Sequence, residues 1–320
     1  MRIAERLLVE DYEIPAAYAD ARNVIFVGMG GSGVVGDIIK DLTDYQVRKP
    51  VDVRRRPDLP AFADEDSLVV AVSYSGNTFE TLSSLDEAMS RHCKMIGVTS
   101  GGRMKATLIK HEVPCIDLPV GYQPREAIPF MLFPIFKIFK QFGWCKEDID
   151  VAGLDSAREG IETLAEEIAP KLSRKLAVIY SEYRSVCHRF KSQLNENAKA
   201  PAQYDVVTEL FHNEVNSWNT MKNFHAILLR ENEERRDIHN VIEIAKRLLD
   251  DSKYTEVLAE GINRSTRILY MIWLGDFVSY YLARRNGVDP EKVPMIDYIK
   301  DELSSLQEKT KANRGRPQDA

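Results

Sequence analysis

Hydroxyl side chains set close together beside glycine are the first residues of this chain with chemistry to offer. Ser73-Tyr-Ser-Gly-Asn-Thr78 places Ser73, Ser75 and Thr78 between an apolar run and an amphipathic one. A strand end meets a helix start there, and each hydroxyl can donate to an oxyanion beside free helix N–H groups. Val24-Ile-Phe-Val-Gly-Met-Gly-Gly-Ser-Gly-Val-Val-Gly36 is a second such place, a strand-like run ending in glycines that include Gly31, followed by Ser32. Glycine lets backbone N–H groups approach a ligand, and a helix N-terminus adds partial positive charge. Gly28-x-Gly30-x-x-Gly33 also fits a dinucleotide fingerprint, with Asp52 about twenty residues on. A nucleotide, a sugar phosphate and a plain packing turn all fit this stretch alone. Two hydroxyl loops after neighbouring strands favour one phosphate held from both sides, because a dinucleotide site does not need the second cluster.

These loops must be carried by a regular scaffold. Val24–Val27, Val51–Val53, Leu68–Val72, Lys94–Val98 and His111–Leu118 read as strands, with helices between them. The helices include Val34–Leu42 and the stretch holding Phe79, Leu82, Leu85 and Met89 at three- and four-residue steps. Residues 1–20 read as a helix lying over this unit. A segment with prolines, Val120–Pro134, contains Arg125 and precedes a helix running to about Gly143. The second half repeats the plan, with strands at Lys175–Tyr180, Phe224–Leu229 and Thr255–Ala259. Helices are expected after Ser181, over Val241–Leu249 and over 266–284. Alternation of this kind predicts an α/β fold of two similar subdomains, each a parallel sheet flanked by helices. The expected boundaries are 1–145 and 175–306 for the subdomains, 146–174 for a helical connection and 307–320 for a polar tail. A site would lie in the crevice between the halves, at strand carboxyl ends.

Composition narrows the function. The 320 residues are 44% hydrophobic with a net charge of −6, which argues for a globular protein without general nucleic-acid affinity. Four separated cysteines without a CxxC argue for reduced thiols in a cytoplasmic setting, not a disulfide or zinc frame. No signal peptide or bilayer-spanning segment is read, so no membrane partner is expected. The six histidines show no i, i+4 pairing and no ligand spacing to cysteine, so no metal is expected.

Gly28-Met-Gly-Gly-Ser-Gly33 with Ser73–Thr78 resembles the sugar isomerase (SIS) domain, which grips phosphosugars through serine and threonine, and the resemblance implies that the two subdomains are flavodoxin-like SIS units. Asn195-Glu-Asn-Ala-Lys199 and Phe211-His-Asn-Glu-Val215 narrow the resemblance to the bifunctional phosphoglucose/phosphomannose isomerases. The resemblance implies a cofactor-free aldose–ketose isomerase acting on glucose 6-phosphate, and mannose 6-phosphate as well, through a cis-enediol. It implies Glu196 as the base that moves the proton between C1 and C2. His212 and Lys300 would open the ring, and Arg125 would stabilise the enediolate. Gly31, Ser32, Ser73, Ser75 and Thr78 would hold the phosphate. Asn213 and Glu214 would hold His212, and Asn195 and Asn197 would fix the base or touch sugar hydroxyls. The resemblance also implies a homodimer in which His212 crosses the interface. The segment Asp289-Pro-Glu-Lys-Val-Pro294 departs from the family's Pro-Thr-Pro type. Two rivals remain at this point. One is a non-catalytic sugar-phosphate sensor. The other is an NADP-linked oxidoreductase using Arg54, Arg55 and Arg56 on a 2′-phosphate.

Overall fold

The computed structural model describes residues 7, 8, 10–300, 302 and 303. Two all-parallel sheets organise them. The first contains β1 (Asn23–Val27), β2 (Val51–Arg54), β3 (Ser67–Val72), β4 (Lys94–Thr99) and β5 (Cys115–Asp117), in the order β2-β1-β3-β4-β5. The second contains β6 (Leu176–Ser181), β7 (Ala202–Val206), β8 (Phe224–Glu231) and β9 (Tyr254–Ala259), in the order β7-β6-β8-β9. The first order is that of flavodoxin-like folds, whose switch point lies between β1 and β3. Both hydroxyl loops leave the sheet at that point.

The helices are α1 (Gly30–Thr43), α2 (Phe79–Ser90), α3 (Gly102–Lys110), α4 (Ile128–Gln141) and α5 (Val151–Leu172) in the first part of the chain. The second part has α6 (Arg184–Glu196), α7 (Val207–Leu210), α8 (Arg236–Lys246) and α9 (Arg264–Asn286). One core runs without a break through both halves, from Val24 and Phe26 through Phe136 and Phe139 to Phe190 and Leu274. Smaller cores lie on the other faces, around Val69, Leu85 and Leu108 in the first sheet and around Tyr180, Trp218 and Ile242 in the second. Burial on both faces is why β3, and Ala226–Leu229 of β8, are continuous apolar runs rather than alternating ones.

Contacts along α1 and α6 place these helices side by side and antiparallel. Near the end of α1, Asp41 accepts the N–H of Ser185 at 2.8 Å, at the start of α6. Mid-helix, Asp37 pairs with Arg55 and lies 3.6 Å from His188 Nδ1. Burial would raise the Asp37 carboxyl, but His188 and Arg55 outweigh it and hold it below the usual range.

Several expectations change. Leu7 and Leu8 are helical, but residues 11–15 form no regular element and Ala16–Asp20 is a 3-10 turn, so no long helix covers that part. Residues 1–6 and 9 of the expected helix, and the 307–320 tail, lie outside the described residues. β5 is only Cys115–Asp117, because α3 runs to Lys110 and Glu112 takes a positive φ of 53°. α1 starts at Gly30, four residues before Val34, so the glycines form its first turn. α4 starts at Ile128 and carries Pro134 in its interior, so the proline segment is shorter than expected. α8 begins at Arg236 rather than at Val241. The strand β7 was not expected; its edge position leaves only partial burial, and the sequence pattern is correspondingly faint.

Candidate active site

The turn after β1 and the loop after β3 meet directly. Ser32 Oγ accepts the N–H of Tyr74 at 3.2 Å, and Ser73 Oγ donates to Thr78 Oγ1 at 3.1 Å. Ser32 and Ser73 are buried, while Ser75 is exposed and accepts the N–H of Asn77 at 3.3 Å. Gly76 has φ +65°, and a Cβ there would lie 1.9 Å from the Gly101 carbonyl, so only glycine closes this loop.

Both helices that begin here start without a side-chain cap. Met29 precedes α1 and Thr78 precedes α2, and neither side chain accepts a bond from the first turn. Among the described α-helices only α5 and α9 have a side-chain cap, from Asp150 and Asn263. Two uncapped N-termini carry free N–H donors and partial positive charge. With Ser32, Ser73, Ser75 and Thr78 they form a cradle suited to a phosphate dianion.

Gly31 connects the cradle to the rest of the site. A Cβ on it would stand 3.0 Å from the Pro124 carbonyl oxygen, so glycine lets residues 124–125 lie against the start of α1. Arg125 follows at once, with only 5% of its surface exposed. Its Nε donates to Asn197 Oδ1 at 2.9 Å, and its Nη2 donates to the carbonyls of Pro290 and Glu291, each at 2.9 Å. The remaining nitrogen, Nη1, lies 3.9 Å from Glu196 Oε2. A guanidinium has five N–H donors. Three are spent on the protein, and the two on Nη1 face the carboxylate. Behind it, Arg189 donates to the Arg125 carbonyl and to Asp276 Oδ1, both at 2.9 Å.

Asn197 bridges Arg125 and Ser279, and Asn195 donates to the Ala200 carbonyl at 2.8 Å. The asparagines therefore fix Arg125 and the loop, not the Glu196 carboxylate. Glu126 accepts the N–H of Gln123 at 3.2 Å and does not hold Arg125. Asp52 and Arg54 pair with each other, Arg55 pairs with Asp37, and Arg56 pairs with Asp58. The arginine run considered for a 2′-phosphate is thus met by carboxylates.

The matching end of the second sheet is filled by its own side chains. Glu231, at the end of β8, accepts from Arg267 Nε at 2.6 Å and from the Tyr183 hydroxyl. Arg267 also reaches Glu233, and Arg264 reaches Tyr183. Among the described residues, only the first sheet presents an open anion cradle of this kind.

Comparison with known proteins agrees with this geometry. Residues 17–107 match the SIS domain model, and residues 161–303 match the bacterial phospho-glucose isomerase C-terminal SIS domain model. A bifunctional phosphoglucose/phosphomannose isomerase of Aquifex aeolicus is 35% identical, covering 88% of this chain and 90% of the relative. The chain belongs to the bifunctional phosphoglucose/phosphomannose isomerase family. A protein of the same description from Thermoplasma acidophilum is 37% identical over the same shares. The fold is also that of the C-terminal domain of glucosamine-fructose-6-phosphate aminotransferase from Francisella tularensis, with TM-score 0.66, 16% identity and coverage of 90% and 93%.

Neither of the two residues that the family resemblance implicates in ring opening belongs to the Arg125 clasp. Among the described residues, no hydrogen bond or ion pair joins His212 to Arg125 or Glu196. It is exposed beyond α7, at the far side of β6. Glu214, expected to hold it, instead accepts the Tyr180 hydroxyl at 2.7 Å, and burial with that bond pushes the phenol pKa up. Lys300 is exposed on the helical stretch 294–300, just after the segment that clasps Arg125. The carbonyls of Pro290 and Glu291 were not foreseen as part of the site. Backbone acceptors leave no residue-type signal. Among the described residues, no group of histidine, cysteine and carboxylate side chains is arranged to hold a metal ion, and no helix is long and apolar enough to cross a membrane.

Proposed function

We propose that this protein is an aldose–ketose isomerase interconverting glucose 6-phosphate, and mannose 6-phosphate, with fructose 6-phosphate through a cis-enediol. The observation that carries the reading is Arg125, which runs from the phosphate cradle at Gly31 to the carboxylate of Glu196. The cradle of Ser32, Ser73, Ser75 and Thr78 takes the phosphate. Glu196 moves one proton between C1 and C2, and the Nη1 donors stabilise the charge that builds on the adjacent oxygens. His212 and Lys300 open the ring.

His212 comes from a second copy in this reading. Its separation from Glu196 within one chain supports that. So does an apolar hollow of about 610 Å³ beside Arg125 and Asn197, lined by Phe130, Phe133, Trp273 and Phe277. A second copy covering this surface would exclude water from the site. The experiment mixes Glu196→Gln and His212→Ala chains, each inactive in a coupled assay on the two aldose 6-phosphates. Restored turnover in the mixture supports a shared site. Silence in the mixture, with subunit exchange verified, places His212 outside the catalytic unit. Full activity of Glu196→Gln would remove the proton-transfer role altogether.

A further inference from the structure

A second charged hollow lies at the amino end of the second sheet. Its volume is about 620 Å³, and Ser173, Arg174, Lys175, Lys199, Arg285 and Asn286 form its polar wall. Ala200 and Pro201 complete it, and no carboxylate is among its described lining residues. Four cations thus face one space. Among the described residues, Arg174, Lys175 and Arg285 form no ion pair with a carboxylate. Cations commonly settle at helix C-termini, and α5 and α9 both end here. That explanation falls short in magnitude, since each helix end offers roughly half a negative charge against four full positive ones. The walls are also built. Ser173 Oγ donates to Asn286 Oδ1 at 3.1 Å, tying α5 to α9, and Asn223 Nδ2 holds the Arg174 carbonyl at 2.8 Å. Arg174 and Lys199 both take left-handed backbone angles, φ 59° and 51°.

We propose that this hollow binds a small phosphorylated anion carrying two or more negative charges, at a site separate from the catalytic cradle. Its size is that of a small-molecule site, and its hydroxyl and amide groups suit a polar ligand. Positive charge from this end of the sheet reaches buried His225, whose pKa is pushed down to about 4 by burial and then by Lys175 and Lys171.

Lys199 connects this site to the catalytic one. Its ammonium donates to the carbonyls of Asn197 and Asp289. Those residues belong to the two segments that clasp Arg125. Burial and the charge of Arg125 hold the Lys199 pKa below the usual range. An anion in the hollow draws Lys199 away from Asp289 and loosens the clasp. The coupling rests on the isomerase reading; the binding does not.

Calorimetric titration with inorganic pyrophosphate tests the site without turnover. Wild type and a Ser73→Ala/Thr78→Val cradle variant should both bind it. Arg174→Glu/Arg285→Glu should bind at least about tenfold more weakly, as two reversed charges at contact distance require. The milder Arg174→Gln/Arg285→Gln pair should lose less, in the same direction. By NMR, pyrophosphate should raise the His225 pKa in wild type but not in the charge-reversed variant. Absence of binding to wild type, or loss in the cradle variant with retention in Arg174→Glu/Arg285→Glu, overturns the proposal. For the coupling, pyrophosphate should lower kcat in wild type and leave the charge-reversed variant unaffected. An equal fall in both refutes communication through Lys199.

Discussion

Replacing Arg125 by lysine separates a catalytic guanidinium from a structural clasp. The side chain spends Nε on Asn197 and Nη2 on two carbonyls, all at 2.9 Å, and leaves Nη1 facing Glu196. Lysine keeps the charge but gathers its donors on one nitrogen, so it can satisfy one of these directions at a time. Charged hydrogen bonds are worth about 1.5–3 kcal/mol each, and two are lost outright. Because neighbouring losses do not add fully, the expected destabilisation is about 2–4 kcal/mol. The catalytic cost is separate. Removing one donor aimed at developing charge lowers kcat by about 10²–10³-fold. Arg125→Lys should therefore show both a lower unfolding midpoint and a kcat reduced at least about a hundredfold, with KM within a few-fold of wild type. Asn197→Ala serves as the comparison, because it removes one acceptor of the clasp and leaves Nη1 in place. Its stability should fall by about 1–2 kcal/mol with a kcat loss under about tenfold. Coupled turnover and thermal unfolding, at a temperature where each variant is folded, provide both measurements. If Arg125→Lys retains kcat within about threefold while losing stability, the guanidinium is a clasp and nothing more.

Three further outcomes follow from the geometry. Ser73→Ala/Thr78→Val removes two cradle hydroxyls and should raise KM for the phosphosugars about ten- to a hundredfold, more than it lowers kcat; an unchanged KM would move the phosphate elsewhere. Gly31→Ala pushes a Cβ against the Pro124 carbonyl at 3.0 Å, displacing Arg125 by a few tenths of an ångström, and should reduce kcat about tenfold or more with the fold retained by circular dichroism. His225 titrates near 4 when folded against an ordinary 6.5, so on acidification the unfolded chain takes up the proton first. Stability should fall as pH drops from 6.5 towards 4, by up to about 3 kcal/mol, and His225→Gln should flatten that slope in denaturant titrations. An identical slope in the variant would assign the acid sensitivity to other groups.

Much of the first sheet was legible because its strands are buried on both faces and end in glycine or hydroxyl residues. Ser32, Ser73, Ser75 and Thr78 were visible because their residue types announce an anion site wherever a strand meets a helix. Glu196 was not visible on those grounds. A carboxylate at a helix end is ordinary, and only the neighbouring Asn195–Lys199 motif distinguished it. The Arg125 clasp was out of reach, since its acceptors are carbonyls about 165 residues away in the chain, at Pro290 and Glu291. β7 was missed because an edge strand with the sequence Ala-Gln-Tyr-Asp-Val needs little apolar content. Asp41 of α1 accepts the N–H of Ser185 in the first turn of α6, a contact between residues 144 apart in the chain. Such long-range pairings are decided by packing, which no local pattern records.

The antiparallel pairing of α1 with α6 has a consequence for which sugars the protein can use. α1 carries Ser32 in its first turn, and α6 closes at Glu196. Asp41 and Asp37 pin the two helices along their length. In the proposed reading, the gap between phosphate and base is therefore set like the jaws of a fixed gauge, by two paired helices. A sugar phosphate one carbon shorter or longer is then expected to turn over less well, because its reactive carbons would no longer meet the Glu196 carboxylate.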